Sequence, residues 1–261
     1  MPDSMSFDLD ARKVKIDRRF IYRTLGYPSP KAVTPMVRDR LPALIHQARR
    51  VATPRALVRV EEIARTGPRS VRLRAGPVFG GRLLAEAFAP ASHAALFVLT
   101  IGDAISRRVS GLSENALLEG FVLDSAASAL VESLANSLPD LAAGLEPLRG
   151  LFPGLRFSPG YCDWSITEMP ALLFRIGARQ IGISLTGGGM MFPEKSICGM
   201  IGFGPDPVAM QVVPCRNCPE TTCAHRRASS AVSIAGWIKG RNSAPENMKE
   251  IEKGRGARQS I

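Results

Sequence analysis

The densest group of metal-binding side chains in this sequence is a run of three cysteines and a histidine within eleven residues. Its members are Cys215, Cys218, Cys223 and His225. Zinc binds three thiolates and one imidazole as a closed tetrahedral site. An iron–sulfur cluster usually has four thiolate ligands, so it would need a further ligand from Cys162, Cys198 or His225. Because Cys-x2-Cys in a chain without a secretory signal favours metal over disulfides, we predict a metal site here. Reduced thiols without metal are the alternative.

A second stretch with chemistry is the run from Arg156 to Tyr161, Arg-Phe-Ser-Pro-Gly-Tyr. Pro159 fixes its own φ and biases Ser158 toward extended geometry, and Gly160 permits a sharp turn. The turn would therefore present one guanidinium and one phenol in preset directions. A guanidinium binds a carboxylate through two parallel hydrogen bonds, so this stretch predicts a ligand with a carboxylate. An ordinary surface turn is the alternative.

Three consecutive glycines, Gly187, Gly188 and Gly189, follow a strand-like run at residues 181–185. They expose backbone N–H groups without side chains, which suits a place where a ligand approaches closely. A common β-turn explains them equally well.

The periodicity of apolar residues predicts the elements that position these groups. Helices are predicted at residues 16–25, 35–50, 83–88, 104–109, 114–138 and 168–176, with Ser113 and Thr167 as N-caps of the last two. Strands are predicted at residues 58–63, 70–74, 94–101, 181–185, 197–203 and 208–213, and residues 139–153 are predicted to be a loop-rich connection. Several helices with non-alternating strands indicate an α+β fold, and no GxGxxG fingerprint marks a dinucleotide site.

Two carboxylates on the long predicted helix, Asp124 and Glu132, are eight residues apart and therefore project to nearly the same side. Small residues crowd the same region, from Ser125 to Ala129. They allow close approach of a ligand or, as the alternative, tight packing of core elements. A solvated helix face accounts for the carboxylates as well as a binding role does.

Composition restricts the class of protein. The chain has 261 residues, of which 45% are hydrophobic, enough for a sizeable core. No apolar run reaches the roughly 18 residues of a membrane span. The start, MPDSMSFDLDARK, has early acids and no apolar segment, so it does not read as a secretory signal. We therefore expect a cytoplasmic protein without a membrane partner.

The net charge of +11 is concentrated at the start, where residues 1–74 hold 17 of the 34 Lys and Arg against seven acids. A basic region suggests nucleic acid, but no helix-turn-helix, zinc-finger or aromatic-interleaved pattern accompanies it. The sequence therefore favours a solvated basic face, or a docking face for an acidic partner.

Four segments together resemble the activation domain of cobalamin-dependent methionine synthase. They are RFSPGY, IGISLTGGGMMFPEKSICGMIGFGP, LFVLTIGDAI and EGFVLDSAASALVESL. The resemblance covers roughly residues 16–206. It implies an α+β fold with a mainly antiparallel or mixed sheet and several packed helices. It also implies binding of S-adenosylmethionine and a role in re-methylating a corrinoid whose cobalt has oxidised.

The resemblance also implies roles for particular residues. Arg156 would pair with the ligand carboxylate, and Ser158 and Gly160 would bind the ligand, Ser158 through backbone hydrogen bonds. Tyr161 would be the catalytic residue, beside the methyl group or the corrin face. We call residues 158–161 the ligand turn. Gly187, Gly188 and Gly189 would leave room for the corrin or the ligand. The family has a helical carboxylate that holds the ligand amino group. Ser128 aligns there in this sequence, and Glu132, one turn on, is the substitute.

The sequence thus predicts a stand-alone activation subunit of a methionine synthase-type methyltransferase. Its partner would be a corrinoid-carrying protein, reduced by a donor such as flavodoxin or ferredoxin. The predicted divisions are a flexible start (1–15), the ligand-binding domain (16–213), the cysteine segment (214–237) and a disordered basic tail (238–261). The cysteine cluster departs from the family pattern. An iron–sulfur or zinc electron-transfer module without S-adenosylmethionine binding is the alternative function.

Overall fold

The computed structural model describes residues 4–220, all of which belong to one compact unit. Its helices are α1 (Arg18–Thr24), α2 (Pro35–Val51), α3 (Arg82–Phe88), α4 (Ala104–Ser113), α5 (Leu117–Ala135), α6 (Leu138–Ala143) and α7 (Met169–Ile176). Its strands are β1 (Met5–Asp8), β2 (Arg55–Gly67), β3 (Ser70–Leu73), β4 (Val78–Gly80), β5 (His93–Thr100), β6 (Phe152–Phe157), β7 (Ser184–Leu185), β8 (Met191–Phe192) and β9 (Ser196–Gly204).

One sheet has seven strands. Six of them follow the order β4-β3-β2-β5-β9-β6, and the seventh, β1, pairs with β2. Every pairing is antiparallel. The remaining strands, β7 and β8, form a separate hairpin. The predicted α+β class with a mainly antiparallel sheet is confirmed.

Both faces of this sheet are buried. Because successive side chains of a strand point to opposite faces, the apolar run of β5 serves two cores. Its odd-numbered members, such as Phe97, pack with α1, α2 and α5. Its even-numbered members, such as Leu96, pack with α3 and α7. A strand covered on both faces has a continuous apolar sequence rather than an alternating one.

Helix α5 is the centre of the first helical layer and contacts α1, α2 and α4. The sequence predicted one helix over residues 114–138 with Ser113 as its cap, and this was wrong at both ends. Ser113 instead ends α4, where its Oγ donates to the carbonyl of Val109 at 2.9 Å. A Cβ at Gly120 would lie 2.7 Å from Ser113 Oγ, so the α4–α5 corner is too tight for a side chain there.

Pro139 does not end a helix but lies in the first turn of α6, where its missing N–H is not needed. Residues 139–153 therefore contain a helix and the start of β6, not only a loop. Thr167 is not a cap, because Ser165 accepts from the Thr167 N–H at 3.2 Å and begins a 3-10 turn before α7.

Two predicted strands were also wrong in extent. In residues 181–185 only Ser184–Leu185 is a strand, because a 3-10 turn occupies Ala178–Ile181. Residues 208–213 are not a strand at all. Their apolar side chains serve packing instead, since Met210 is 2% exposed and its Sδ would lie 2.7 Å from a Cβ on Gly204.

The predicted flexible start includes β1, whose four residues pair with Arg55–Val58 of β2. Within the described residues, the helices are all too short or too polar to cross a bilayer.

Candidate functional site

The run from Ser158 to Tyr161 forms a tight turn directly after β6. The Tyr161 N–H donates to the Ser158 carbonyl at 3.1 Å, and Gly160 has a φ of +89°. Pro at the second position and a positive φ at the third are the marks of a type II turn, which favours glycine there. The predicted stiff turn is confirmed, and Tyr161 lies half-buried at its end.

Trp164 anchors this turn to the core. Its carbonyl accepts from the Gly160 N–H at 2.8 Å, and its ring is 1% exposed. The indole Nε1 donates to Glu168 Oε2 at 2.8 Å, and the ring meets Phe79 edge-on at 5.3 Å between centroids. The ligand turn therefore has a fixed position relative to the sheet.

Arg156 points to the helical layer and meets α5. Its neighbour Phe157 packs into the opposite core, so alternation along β6 directs Arg156 to the α5 side. The Arg156 Nε donates to Asn136 Oδ1 at 3.1 Å, and its Nη2 forms an ion pair with Glu132 Oε2. The arginine side chain is 3% exposed and that of Glu132 is 19% exposed.

Two buried polar atoms at this place have no hydrogen-bond partner within residues 4–220. They are Arg156 Nη1 and Ser158 Oγ. Buried polar groups in proteins are nearly always satisfied, so each exception needs an explanation such as a missing ligand or water. Each of these atoms can donate a hydrogen bond to a carboxylate. The residues thus fit the negatively charged end of a ligand.

A second ion pair lies on the same face of α5, which we call the α5 stripe (Asp124, Ser128, Glu132 and Asn136). Lys195, just before β9, lies 2.7 Å from Asp124 Oδ1 and donates to Ser128 Oγ at 3.0 Å. Asp124, Ser128, Glu132 and Asn136 are spaced by four residues, so they form one face of the helix. The sequence identified the two carboxylates but missed Lys195 and Asn136. The four-residue spacing was the available signal for Asn136, whereas no local pattern indicates what Lys195 contacts.

The three glycines form the exposed tip of the β7–β8 hairpin. The Thr186 N–H donates to the Met190 carbonyl at 2.8 Å and closes the tip. A Cβ on Gly187 or Gly189 would meet nothing within 4 Å. Protein packing therefore does not require glycine at these two positions, although Gly189 has a φ of +78° that favours it. The chain between β8 and β9 includes Lys195, so this hairpin leads directly to the α5 stripe.

The predicted metal ligands are only partly within the described residues. Cys215 and Cys218 lie inside them, whereas Cys223 and His225 lie outside. Within residues 4–220, no three His, Cys, Asp or Glu side chains form a group that could hold a metal ion. Of the proposed fourth ligands, Cys198 is 3% exposed in the core. Burial raises the pKa of Cys198 to about 12.

Neither a protein-family model nor a curated protein sequence matches the chain. A solved structure described as the MetH reactivation domain bound to AdoHcy has the same fold, with a TM-score of 0.61 at 16% sequence identity. The match covers 78% of this chain and 79% of that one. The two proteins therefore share the fold over most of their lengths, as the sequence resemblance implied.

Proposed function

We propose that this chain binds S-adenosylmethionine and serves the reactivation of a corrinoid held by a methyltransferase partner. The observation that carries the proposal is the pair of unsatisfied buried atoms, Arg156 Nη1 and Ser158 Oγ, next to the Arg156–Glu132 ion pair. The similar fold of a domain solved with AdoHcy supports the same class of ligand.

The charges of the site match the amino-acid end of such a ligand. A zwitterionic amino acid carries a carboxylate and an ammonium on one carbon. Arg156 offers a fork that suits the carboxylate, and Glu132 offers an acceptor for the ammonium. Because Arg156 and Glu132 contact each other, they are close enough for one zwitterion to contact both.

The role of this chain in the reaction is to bind and orient. The ligand would supply an electrophilic methyl group on its sulfonium and would leave as S-adenosylhomocysteine, and a reduced corrinoid on the partner would be the methyl acceptor. No residue of the site needs to act as acid or base, so the chain contributes proximity and orientation, and the cofactors carry the difficult chemistry. Tyr161, on the same rigid turn, would lie beside the methyl group as the residue closest to the chemistry.

The corrin would approach from the side of the glycine hairpin. Met190 and Phe192 of this hairpin are 61% and 46% exposed, and Gly187–Gly189 leave the tip without bulk. A flat, largely apolar corrin face would cover these side chains. The electron would come from a flavodoxin- or ferredoxin-type donor.

Calorimetric titration with S-adenosylmethionine and with S-adenosylhomocysteine tests the proposal. We expect both to bind, and methionine alone to bind more weakly, because it lacks the adenosine. A second titration with a cobalamin-loaded partner tests docking. Absence of binding by both nucleoside ligands would contradict the proposed function.

Glu132→Gln is expected to weaken S-adenosylmethionine binding by about 5- to 10-fold. The amide still accepts a hydrogen bond but loses the charge, and charge-assisted bonds are about twice as strong as neutral ones. Calorimetry measures the change. Glu119→Gln is the matched control, since Glu119 lies on the same helix and pairs with Arg40 at 2.8 Å. Equal effects of the two substitutions would contradict the assignment of Glu132.

Ser158→Ala should separate binding from stability. The Ser158 hydroxyl has no partner within the described residues, so its removal should change the free energy of unfolding by less than about 0.5 kcal/mol. Loss of one neutral hydrogen bond to the ligand should weaken binding by roughly 2- to 10-fold. Ser196→Ala, in contrast, should lower the free energy of unfolding, because Ser196 Oγ donates to the Pro193 carbonyl at 2.6 Å. Unchanged affinity in Ser158→Ala would exclude this contact.

A further inference from the structure

The residue that follows the ligand turn is held in place from both sides. Cys162 comes directly after Tyr161, and the next residue, Asp163, accepts from the backbone N–H groups of Arg82 and Leu83 at 2.6 and 3.1 Å. The ligand turn therefore fixes the chain before Cys162, and the first turn of α3 fixes the chain after it.

The segment after β9 reaches the same helix from the other direction. Met210 is 2% exposed, so the chain is anchored before it reaches the next cysteines. The 3-10 turn Pro214–Arg216 contacts α3, and Asn217 Nδ2 lies 3.5 Å from Glu86 Oε2. Cys218 packs against the core cluster to which α3 and α7 contribute.

These two segments bring two thiols into contact. The Cys162 side chain is hydrogen-bonded with that of Cys218, and Cys215 is a third thiol nearby. Cys162 is exposed and Cys218 is partly buried, and neither is part of a disulfide. A small reagent in solvent can therefore reach the pair through Cys162.

Cys162 also has a backbone conformation that is uncommon for a residue with a side chain. Its φ is +53°, the one positive value at a non-glycine position within residues 4–220. Such a conformation costs free energy and persists only where the surrounding structure imposes it, and such residues concentrate at functional sites. The ligand turn before Cys162 and the Asp163 contacts after it supply that constraint.

We propose that Cys162 and Cys218 are a redox-active pair that closes into a disulfide and fastens the segment after β9 to the end of the ligand turn. A disulfide forms without strain only where the folded backbone already holds two thiols close together, and these two are in contact. Cys198 does not compete, because it is 3% exposed and solvent oxidants do not reach it.

The oxidant is a low-molecular-weight disulfide of the glutathione type. One thiol of the pair attacks this disulfide, forms a mixed disulfide and releases one small thiol. The second thiol then attacks the protein sulfur of the mixed disulfide and releases the other small thiol. The protein loses two electrons and two protons, and the oxidant takes up both as two thiols. A small dithiol in excess reverses the reaction.

The crosslink would join two segments that are distant in sequence. It would close residues 162–218 into one loop, and a disulfide constrains the unfolded chain more as the loop becomes longer. A metal at the site predicted from sequence would also use Cys218, so the chelation of metal makes the pair available. The disulfide does not depend on S-adenosylmethionine binding, so it is tested separately from the proposed function.

The test is disulfide mapping of the full chain. The chain is reduced with a chelator present and equilibrated over a series of ratios of oxidised to reduced glutathione. It is then quenched with acid, alkylated and digested for mass spectrometry. We expect a linked peptide that contains Cys162 and Cys218, and its absence in Cys162→Ser. Cys198→Ala and Cys215→Ser keep both thiols of the pair, so both variants should still form the crosslink.

Urea unfolding of the same samples gives a second measurement. Oxidation should raise the urea midpoint of the wild type and leave that of Cys162→Ser unchanged. Three results would each overturn the proposal: a peptide that links Cys215 to Cys218 instead, alkylation of both Cys162 and Cys218 at the most oxidising ratio, or an oxidised midpoint that does not rise. Calorimetry with S-adenosylmethionine on both forms separates the two proposals, because loss of binding in both forms contradicts only the proposed function.

Discussion

Replacement of Arg156 by alanine is expected to weaken S-adenosylmethionine binding by roughly 10- to 150-fold. The guanidinium is 3% exposed and already oriented by Asn136 and Glu132, so little entropy remains to be lost when a ligand binds. Loss of a charged hydrogen-bond partner costs roughly 1.5–3 kcal/mol, and each 1.4 kcal/mol is about tenfold in affinity. Calorimetry measures the effect after circular dichroism has shown that the variant is folded.

Two further variants isolate the role of the fork. Arg156→Lys should recover only part of the affinity, because an ammonium cannot form two parallel bonds to a carboxylate. Arg175→Ala is the matched control, since Arg175 is 14% exposed and pairs with Glu61 at 2.6 Å. A wild-type affinity in folded Arg156→Ala would remove the main support for the proposed ligand.

Replacement of Trp164 by alanine is expected to lower the free energy of unfolding by about 3–5 kcal/mol, the usual range for truncating a buried aromatic residue. The ring is 1% exposed and contacts Phe79 and Phe157. Its loss also leaves Glu168 without the indole donor. Because Trp164 anchors the ligand turn, affinity should fall together with stability. Denaturant unfolding gives the stability change from the midpoint.

The exposed aromatic residue of α7 is the control for this substitution. Phe174 is 90% exposed, so Phe174→Ala should change the free energy of unfolding by less than about 0.5 kcal/mol. A loss of under about 1 kcal/mol in Trp164→Ala would mean that the turn is held by its backbone contacts alone.

Local sequence was sufficient for the elements whose cause is local. The apolar run of β5 predicted a buried strand, and residues 35–50 predicted α2, because burial of one face or both faces imposes a period on the sequence. Pro159 and Gly160 predicted the ligand turn, since their backbone preferences act at their own positions. The N-cap at Asp17, which accepts from the Arg19 N–H at 2.8 Å, agrees with the predicted first helix.

Sequence misjudged the segments whose conformation depends on a distant partner. Residues 208–213 are apolar enough for a strand, yet Met210 fills a gap beside the glycines of β6 and β9. Residues 5–8 carry little pattern, but the open edge of β2 pairs them. The conformation of residues 208–213 depends on the space beside these glycines. That of residues 5–8 depends on the unpaired backbone groups of β2.

The sequence by itself identified the side chains that could do chemistry: Arg156 and the cysteines by type and spacing, and Ser158 and Glu132 through the resemblance to the activation domain. Only the tertiary structure decided which of them meet. It paired Arg156 with Glu132, which is 24 positions away in sequence, and placed Lys195 against the same face of α5. It also brought Cys162 rather than Cys198 to Cys218. Such convergence depends on how β6, α5 and the chain after β9 pack on the sheet. That packing comes from burial of apolar surface. The sequence around the polar residues therefore has no local pattern that predicts which of them come together.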